Sequence, residues 1–358
     1  MTLDELFTLE PYSLSCKDKN VALQSILNEQ IRKHEKNCHE YARILKALKY
    51  DSTLEHTCEE FPFVPVRLFK LFSLLSVPKD KIIKTVTSSG TTGQQVSKIF
   101  LDAQNVRDQT KTLNIILSSF FGKERLPLLL LDTALIKKDR SMYSARGAGI
   151  IGFSIFGHHT TYALDSNMNL DIDAISEFIK QHQNETILLF GFTFMIWQFV
   201  VRVLEEKGIS FNIPKAVMFH IGGWKKLKDQ AVSSEEFNRR VRERLGNVQV
   251  YNYYGMVEQL GSVFAECEYG HMHCSNFSEV IVRRPSDFSI ANFGEKGLLE
   301  LISVLPTSYP GNVILTEDEG EILGEDDCPC GRKGKYFKIH GRIKHAEIRG
   351  CSDTYEKR

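Results

Sequence analysis

Apolar residues near the start of the chain recur at helical spacing. Ala22, Leu23, Ile26, Leu27 and Ile31, with Leu45 and Leu48 continuing the stripe, predict one long amphipathic helix over 20–49. A proline-punctuated stretch follows, Phe61-Pro62-Phe63-Val64-Pro65-Val66, and beyond it two patterns alternate. Short apolar runs at 82–87, 126–131, 186–190, 216–220 and 248–253 read as strands, and 149–156 is a further short apolar segment. The stretches 106–120, 174–183, 192–207 and 235–245 read as helices, the last two closed by Gly208 and Gly246. Alternation of this kind predicts an α/β fold with largely buried sheets. From Glu279 onward short strands and turns predict a smaller β-rich part, and no internal repeat or low-complexity segment interrupts the pattern.

Composition narrows the function class. The 358 residues are 42% hydrophobic and 25% charged, enough apolar material for a substantial core. Lys plus Arg equals Asp plus Glu at 45 each, whereas nucleic-acid binders usually carry a basic excess. The acidic start Met1-Thr2-Leu3-Asp4-Glu5 lacks the basic and apolar regions of a secretory signal. The longest apolar stretch, 187–201, is broken by Gly191, Thr193 and Gln198 and falls short of the ~18 apolar residues of a membrane span. A soluble protein of the cytoplasm is expected, with no nucleic-acid partner and no membrane span. In that compartment the eight cysteines read as metal ligands, nucleophiles or core filler rather than a disulfide framework. Five of them lie after residue 266, which directs attention to that half of the chain.

Four segments carry candidate chemistry. Thr87-Ser88-Ser89-Gly90-Thr91-Thr92-Gly93 follows a strand; its glycines allow close backbone approach and its hydroxyls add donors, so it can wrap phosphates. No Gly-Lys-Ser/Thr follows, so it is not the Walker loop, and a polar turn is the other reading. Tyr254-Gly255-Met256-Val257-Glu258 again follows a strand. The aromatic beside a glycine can lie against a purine, and the Glu258 carboxylate can hold Mg²⁺ or be a solvated charge. In Leu315-Thr316-Glu317-Asp318-Glu319-Gly320 a carboxylate can accept from ribose hydroxyls, or the segment is an acidic turn. Gly341-Arg342 reads as a flexible joint with a guanidinium able to reach phosphate.

Together and in this order the four segments resemble the adenylate-forming superfamily of acyl-CoA synthetases, whose adenine-pocket glycines correspond to Gly222-Gly223. A narrower resemblance rests on Pro65-Val66 to Lys70, Ser144-Ala145-Arg146-Gly147-Ala148-Gly149, Phe190-Gly191-Phe192-Thr193, Gly222-Gly223-Trp224-Lys225 and the closing Arg349-Gly350-Cys351. These look like the acyl-protein synthetase family of bacterial bioluminescence, the long-chain-fatty-acid–luciferin-component ligases. The resemblance implies that a carboxylic acid, a long-chain fatty acid, is activated with ATP to acyl-AMP. It gives catalytic roles to Glu258, as Mg²⁺ holder, and to Arg342. The loop residues Ser88, Ser89, Gly90, Thr91, Thr92 and Gly93 would hold phosphate. Tyr254 beside Gly255 and the pair Gly222-Gly223 would flank adenine, and Asp318 would hold the ribose. Cys351, seven residues before Arg358, would receive the acyl group and pass it to a partner such as a fatty acyl reductase. The neighbours Lys344, His345, Arg349, Lys357 and Arg358 favour its thiolate.

Two departures from the superfamily pattern bear on mechanism. Only 16 residues follow Arg342, so the usual second domain and its lysine are expected to be absent: residues 1–340 form the acyl-activating domain and 341–358 a short arm carrying Cys351. The loop also lacks the usual Pro-Lys after its last glycine, for which Lys98 is a substitute. An acyl- or aryl-CoA ligase using CoA directly, and a nucleotide-binding protein without catalysis, are the other function classes.

Cys267, His273 and the Cys328-Pro329-Cys330-Gly331 turn supply three thiolates and an imidazole, a set suited to structural Zn²⁺; a reduced metal-free loop is the alternative. His271 competes as a ligand, and Cys274 more weakly. A similar cysteine set in some phenylacetate–CoA-ligase-like proteins supports the zinc reading by resemblance. His158-His159 are expected in a surface loop and Trp197 in the core. The apolar stretch 188–201 is open to core packing or to lining an acyl tunnel.

Overall fold

The computed structural model describes residues 1–88, 95–137, 145–224 and 231–343. They form two compact units. One contains 123–137, 145–224 and 231–253; the other contains 1–88, 95–122 and 254–343.

The first unit is built on five parallel strands in the spatial order Gly246–Tyr254, Ile213–Ile221, Ile187–Phe192, Leu126–Thr133, Gly157–Leu164. Their central members, such as Leu128–Leu131 and Ile187–Phe190, are buried on both faces, which is why they read as continuous apolar runs without alternation. Helices Ala145–Ser154, Ile172–Gln181 and Ser234–Leu245 alternate with the strands. Asp171 and Ser233 cap two of them by accepting from the Ala174 and Glu236 N–H groups. The stretch after Phe192 is helical as expected but contains a π-helical turn, Ile196–Val201, between α-helical segments. Ile196, Trp197, Val200 and Val201 are all core residues there, which accounts for the apolar run at 188–201 by packing. Gly246 ends the helix Ser234–Leu245 at φ +102, where a Cβ would stand 2.6 Å from the Ile213 nitrogen.

The short apolar segment 149–156, whose element type the pattern left open, is mostly the end of a helix. One expectation in this unit needs correction: His158-His159 lie in the edge strand Gly157–Leu164 rather than in a surface loop. Thr160, Thr161 and Tyr162, with strong strand propensity, carry the strand through the histidine pair despite the left-handed His159 at φ +45.

The second unit holds an antiparallel sheet ordered Ser278–Arg283, Gly297–Ser303, Val313–Glu325, Lys335–Arg342, Met272–His273, Phe264–Glu266. Val64–Pro65 pairs parallel with Val313–Glu325, and Ile82–Thr87 forms a separate hairpin with Lys98–Asp102. Phe264, Val280, Leu299, Leu301, Ile322 and Phe337 make its core. The strand Val313–Glu325 has 13 residues, so it is not one of the short strands expected; shifts of register at Glu319/Gly320 and Ile322/Gly324 let it continue past irregularities. The single N-terminal helix expected over 20–49 is two, Cys16–Asn37 and His39–Ala47, divided at Cys38 (φ −123, ψ 104). His34, Cys38, Tyr41 and Leu45 are buried on both sides of the break, so the apolar stripe runs through it and does not reveal the bend, whereas Leu48 is exposed. Asn37 and Cys38 are weak helix formers where the chain turns. Among the described residues no helix is long and apolar enough to cross a membrane.

Lys19 and Glu279 are fully buried and stand 3.1 Å apart. Burial opposes both charges, but Glu279 holds the Lys19 ammonium above its usual pKa, while Lys19 and Lys335 hold the Glu279 carboxyl below its own. Lys19→Met leaves a buried carboxylate with weaker compensation and should cost about 3 kcal/mol in urea unfolding. Lys19→Met with Glu279→Leu should recover most of that loss; a single variant as stable as the wild type would contradict a paired charge at this position.

Candidate functional site

Asp318 lies in the long strand Val313–Glu325, directly across from Arg342 of Lys335–Arg342. The Tyr254 hydroxyl donates to Asp318 Oδ2 at 2.6 Å, and Arg342 Nε stands 3.5 Å from Asp318 Oδ1. The Asp318 N–H donates to Thr316 Oγ1 at 3.1 Å, and the Thr316 hydroxyl donates to the Leu299 carbonyl at 2.8 Å. Burial pushes the Asp318 carboxyl up, opposed by the Tyr254 hydroxyl and the Arg342 charge. Burial, reinforced by Asp318, also pushes the Tyr254 phenol up, so it keeps its proton and serves as the donor. Arg67, within the Pro65 to Lys70 segment, pairs with the adjacent Glu317. Thr316 to Asp318 are thus part of a strand, and Gly341-Arg342 end one rather than forming a free joint; cross-strand pairing with Asp318 and Glu319 holds them.

Glu258 sits on the short 3₁₀ turn Val257–Gln259 and is only 6% exposed. The next residue anchors that turn: the Gln259 amide nitrogen lies 2.9–3.1 Å from the carbonyls of Leu301, Gly311 and Asn312. Gly311 has no room for a side chain, since a Cβ there would meet the Tyr309 ring and stand 2.9 Å from the Glu258 carbonyl oxygen. Burial pushes the Glu258 carboxyl up, opposed by the Ser97 hydroxyl and the charges of Arg342 and Lys70. Among the described residues its side chain forms no ion pair.

Ser97 also closes the base of the glycine-rich loop. The Ser88 N–H donates to the Ser97 carbonyl at 3.1 Å, and the Ser97 N–H donates to Ser88 Oγ at 2.9 Å. The loop base and Glu258 are therefore neighbours. Ser89, Gly90, Thr91, Thr92 and Gly93 lie outside the described residues, as does Cys351. Lys98 is exposed at the start of the returning strand. In the parallel unit, Gly222 and Gly223 follow the strand Ile213–Ile221, both exposed. Sequence reasoning missed Ser97, Gln259 and Gly311. Ser97 and Gln259 belong to no motif, and only the Pro310-Gly311-Asn312 turn signal marked Gly311.

The ligating atoms of Cys267, His273, Cys328 and Cys330 lie within 4.8 Å of one another. Cys267 and Cys328 Sγ are 4.0 Å apart, and His273 Nε2 is 3.3 Å from Cys330 Sγ. Tetrahedral zinc with Zn–S bonds of about 2.3 Å requires sulfurs roughly 3.8 Å apart, so the donor set fits such an ion in kind and in spacing. Three of the four residues are buried. His271 Nδ1 also approaches Cys328 Sγ, at 3.3 Å, but His271 stands outside the four-residue group and stacks on Tyr336. Cys274 packs in the sheet core instead.

The acyl-protein synthetase (LuxE) family model matches residues 2–358. The long-chain-fatty-acid–luciferin-component ligases of Vibrio harveyi and Aliivibrio fischeri are 22% and 23% identical, and each alignment covers 98% of this chain and 91–92% of the relative. The solved structure of an open 2-hydroxyisobutyryl-CoA ligase, in complex with 2-HIB-AMP and CoA, aligns with 95% of this chain and 79% of its own at TM-score 0.70 and 14% identity. A second structure of that ligase, in the postadenylation state with 2-HIB-AMP, gives TM-score 0.69 over 92% of this chain and 69% of its own, at 13% identity. The fold is thus the α/β fold of adenylate-forming acyl-CoA ligases, and the chain belongs to the acyl-protein synthetase (LuxE) family of acid–thiol ligases.

Proposed function

We propose that the protein activates a long-chain fatty acid as acyl-AMP and then takes the acyl group onto Cys351 as a thioester. The observation that carries this reading is the meeting of Tyr254 and Arg342 on half-buried Asp318, with Glu258 beside Ser97 at the loop base. These residues come from segments far apart in sequence, and each is of a type suited to one part of a nucleotide. Family membership across the chain supports the same reading.

In the first step a carboxylate oxygen of the acid attacks the α-phosphorus of ATP. The bond from that phosphorus to the bridging oxygen breaks, and pyrophosphate leaves. Two anions must meet, so donors and positive charge around the phosphates lower the barrier. Arg342 supplies a guanidinium, and the loop from Ser88 to Gly93 supplies hydroxyls and backbone N–H groups. Glu258 fits as the oxygen ligand of Mg²⁺, being a buried carboxylate without an ion pair among the described residues; bound there, the ion would neutralise phosphate charge. Asp318 accepts from ribose hydroxyls and Tyr254 lies against adenine. In the second step the Cys351 thiolate, its proton lost to solvent, attacks the acyl carbonyl and AMP leaves. The thioester can then pass by exchange to a partner protein such as a fatty acyl reductase. Cys267, His273, Cys328 and Cys330 would hold a structural Zn²⁺ whose shell they fill, leaving it no catalytic position.

Glu258→Gln should keep the fold and lower acid-dependent ATP–pyrophosphate exchange by roughly ten- to a thousandfold. Exchange at the wild-type rate would remove Glu258 from the site. Cys351→Ser should leave exchange nearly intact but abolish the hydroxylamine-labile label from radioactive myristate, ATP and Mg²⁺. Label that survives the substitution, or free acyl-CoA as the sole product when CoA is supplied, would point to a CoA ligase. Elemental analysis should find about one zinc per chain, and joint replacement of Cys328 and Cys330 by Ser should release it and lower thermal stability. Unchanged metal content in that variant would refute the assignment.

A further inference from the structure

In the parallel unit the order of strand addition reverses between Leu126–Thr133 and Ile187–Phe192. Open α/β sheets bind ligands at the carboxyl ends of strands near such a reversal. Thr193 follows Ile187–Phe192 at that end. Gly222 follows the neighbouring strand Ile213–Ile221, whose last register pair is Phe192 with Ile221.

Thr193 Oγ1 stands 2.6 Å from the Gly222 carbonyl oxygen, 2.8 Å from His220 Nδ1 and 3.3 Å from the Ile221 carbonyl oxygen. A hydroxyl carries one proton, and both carbonyls can only accept. The closer carbonyl, that of Gly222, takes the proton, so His220 must donate to the Thr193 oxygen from Nδ1. Burial lowers the His220 pKa to about 3, leaving a neutral ring with one N–H to give. Proton counting thus fixes the direction of a short chain: His220 Nδ1–H to Thr193 Oγ1–H to the Gly222 carbonyl.

That chain orients a peptide plane. No peptide bond among the described residues is cis, and in a trans peptide the C=O and N–H point in opposite directions. With the Gly222 carbonyl drawn toward Thr193, the Gly223 N–H faces the other way. Gly222 sits at φ +86, a backbone conformation that glycine adopts without strain. A Cβ at Gly223 would meet no described atom within 4 Å, and both glycines are exposed. The end of a buried strand therefore presents an aimed backbone donor between two residues that themselves carry no side chain, suited to a flat heteroaromatic ring.

We propose that Thr193 and His220 are positioning residues for the nucleotide base, fixing the Gly222–Gly223 peptide so that the Gly223 N–H donates to an acceptor nitrogen on the edge of the purine. This rests on the adenylating function proposed above. A merely structural Thr193 would join two strand ends, and its loss would lower stability without regard to the base. The test compares binding of ATP and of inorganic tripolyphosphate, which has no base, to the full chain by titration calorimetry. Thr193→Val removes the hydroxyl at nearly constant shape and should weaken ATP binding about tenfold, the worth of one misdirected hydrogen bond, with tripolyphosphate binding unchanged. Thr193→Ser, which keeps the hydroxyl, should stay within about threefold of wild type for both ligands. If the valine variant does not fold, Thr193→Cys, a weaker donor of similar size, should show a smaller loss of the same sign. A folded Thr193→Val or Thr193→Cys variant that binds ATP like the wild type, or loses both ligands in parallel, overturns the proposal. A wild-type chain that binds no ATP overturns the adenylating function as well, whereas normal wild-type binding with unaffected variants removes only the positioning role.

Discussion

The buried carboxylate of Glu258 is the constraint around which the antiparallel unit is arranged. Ionising a carboxyl group out of water is costly, and Glu258, whose pKa burial pushes up, forms no ion pair among the described residues. The surrounding chain has to hold it in place by other means. Gln259 does so by setting its amide nitrogen against three carbonyls, two of them in the Gly311-Asn312 turn. Gly311 allows the approach because it has no side chain. The Glu258 side chain itself stands beside Ser97, which closes the loop expected to bind phosphate. A carboxyl group kept there, near the base of the loop expected to bind phosphate, is suited to holding a cation against phosphate.

Asp318 shows the same logic in milder form. Its carboxylate is stabilised by the Tyr254 hydroxyl and Arg342, so the strand pair Val313–Glu325 and Lys335–Arg342 carries both polarity and geometry. Since Tyr254 spends its proton on Asp318, its ring orientation is fixed from the hydroxyl end, leaving the ring face as the part that can meet a base. In the parallel unit the Gly222–Gly223 turn depends on Thr193 and His220 in the same way: a buried side-chain pair sets the direction of an exposed backbone group.

Much of this was legible in sequence because the motifs are local. The strand before Gly222, the strand before Tyr254 and the helix closed by Gly246 follow from apolar runs and glycine signals, and the grouping of Cys267, His273, Cys328 and Cys330 from thiol and imidazole spacing. What was hidden is non-local. The helix break at Cys38 leaves the apolar stripe intact, so periodicity could not show it. The strand Gly157–Leu164 carries two histidines directly after its first residue, and its β character lies in the Thr160-Thr161-Tyr162 run that follows. Thr316 to Asp318 resembled an acidic turn because a partly covered strand in a site carries carboxylates that composition assigns to solvent. Ser97 and Gln259 acquire their roles only from partners 9 and 42–53 residues away.

The most direct test of the account is acid-dependent ATP–pyrophosphate exchange by the wild-type chain, measured across short, aromatic and long-chain acids at fixed ATP and Mg²⁺. Exchange that requires an acid and is fastest with a long-chain one such as myristate is the result the account predicts. No exchange with any acid, from a folded protein, would contradict it.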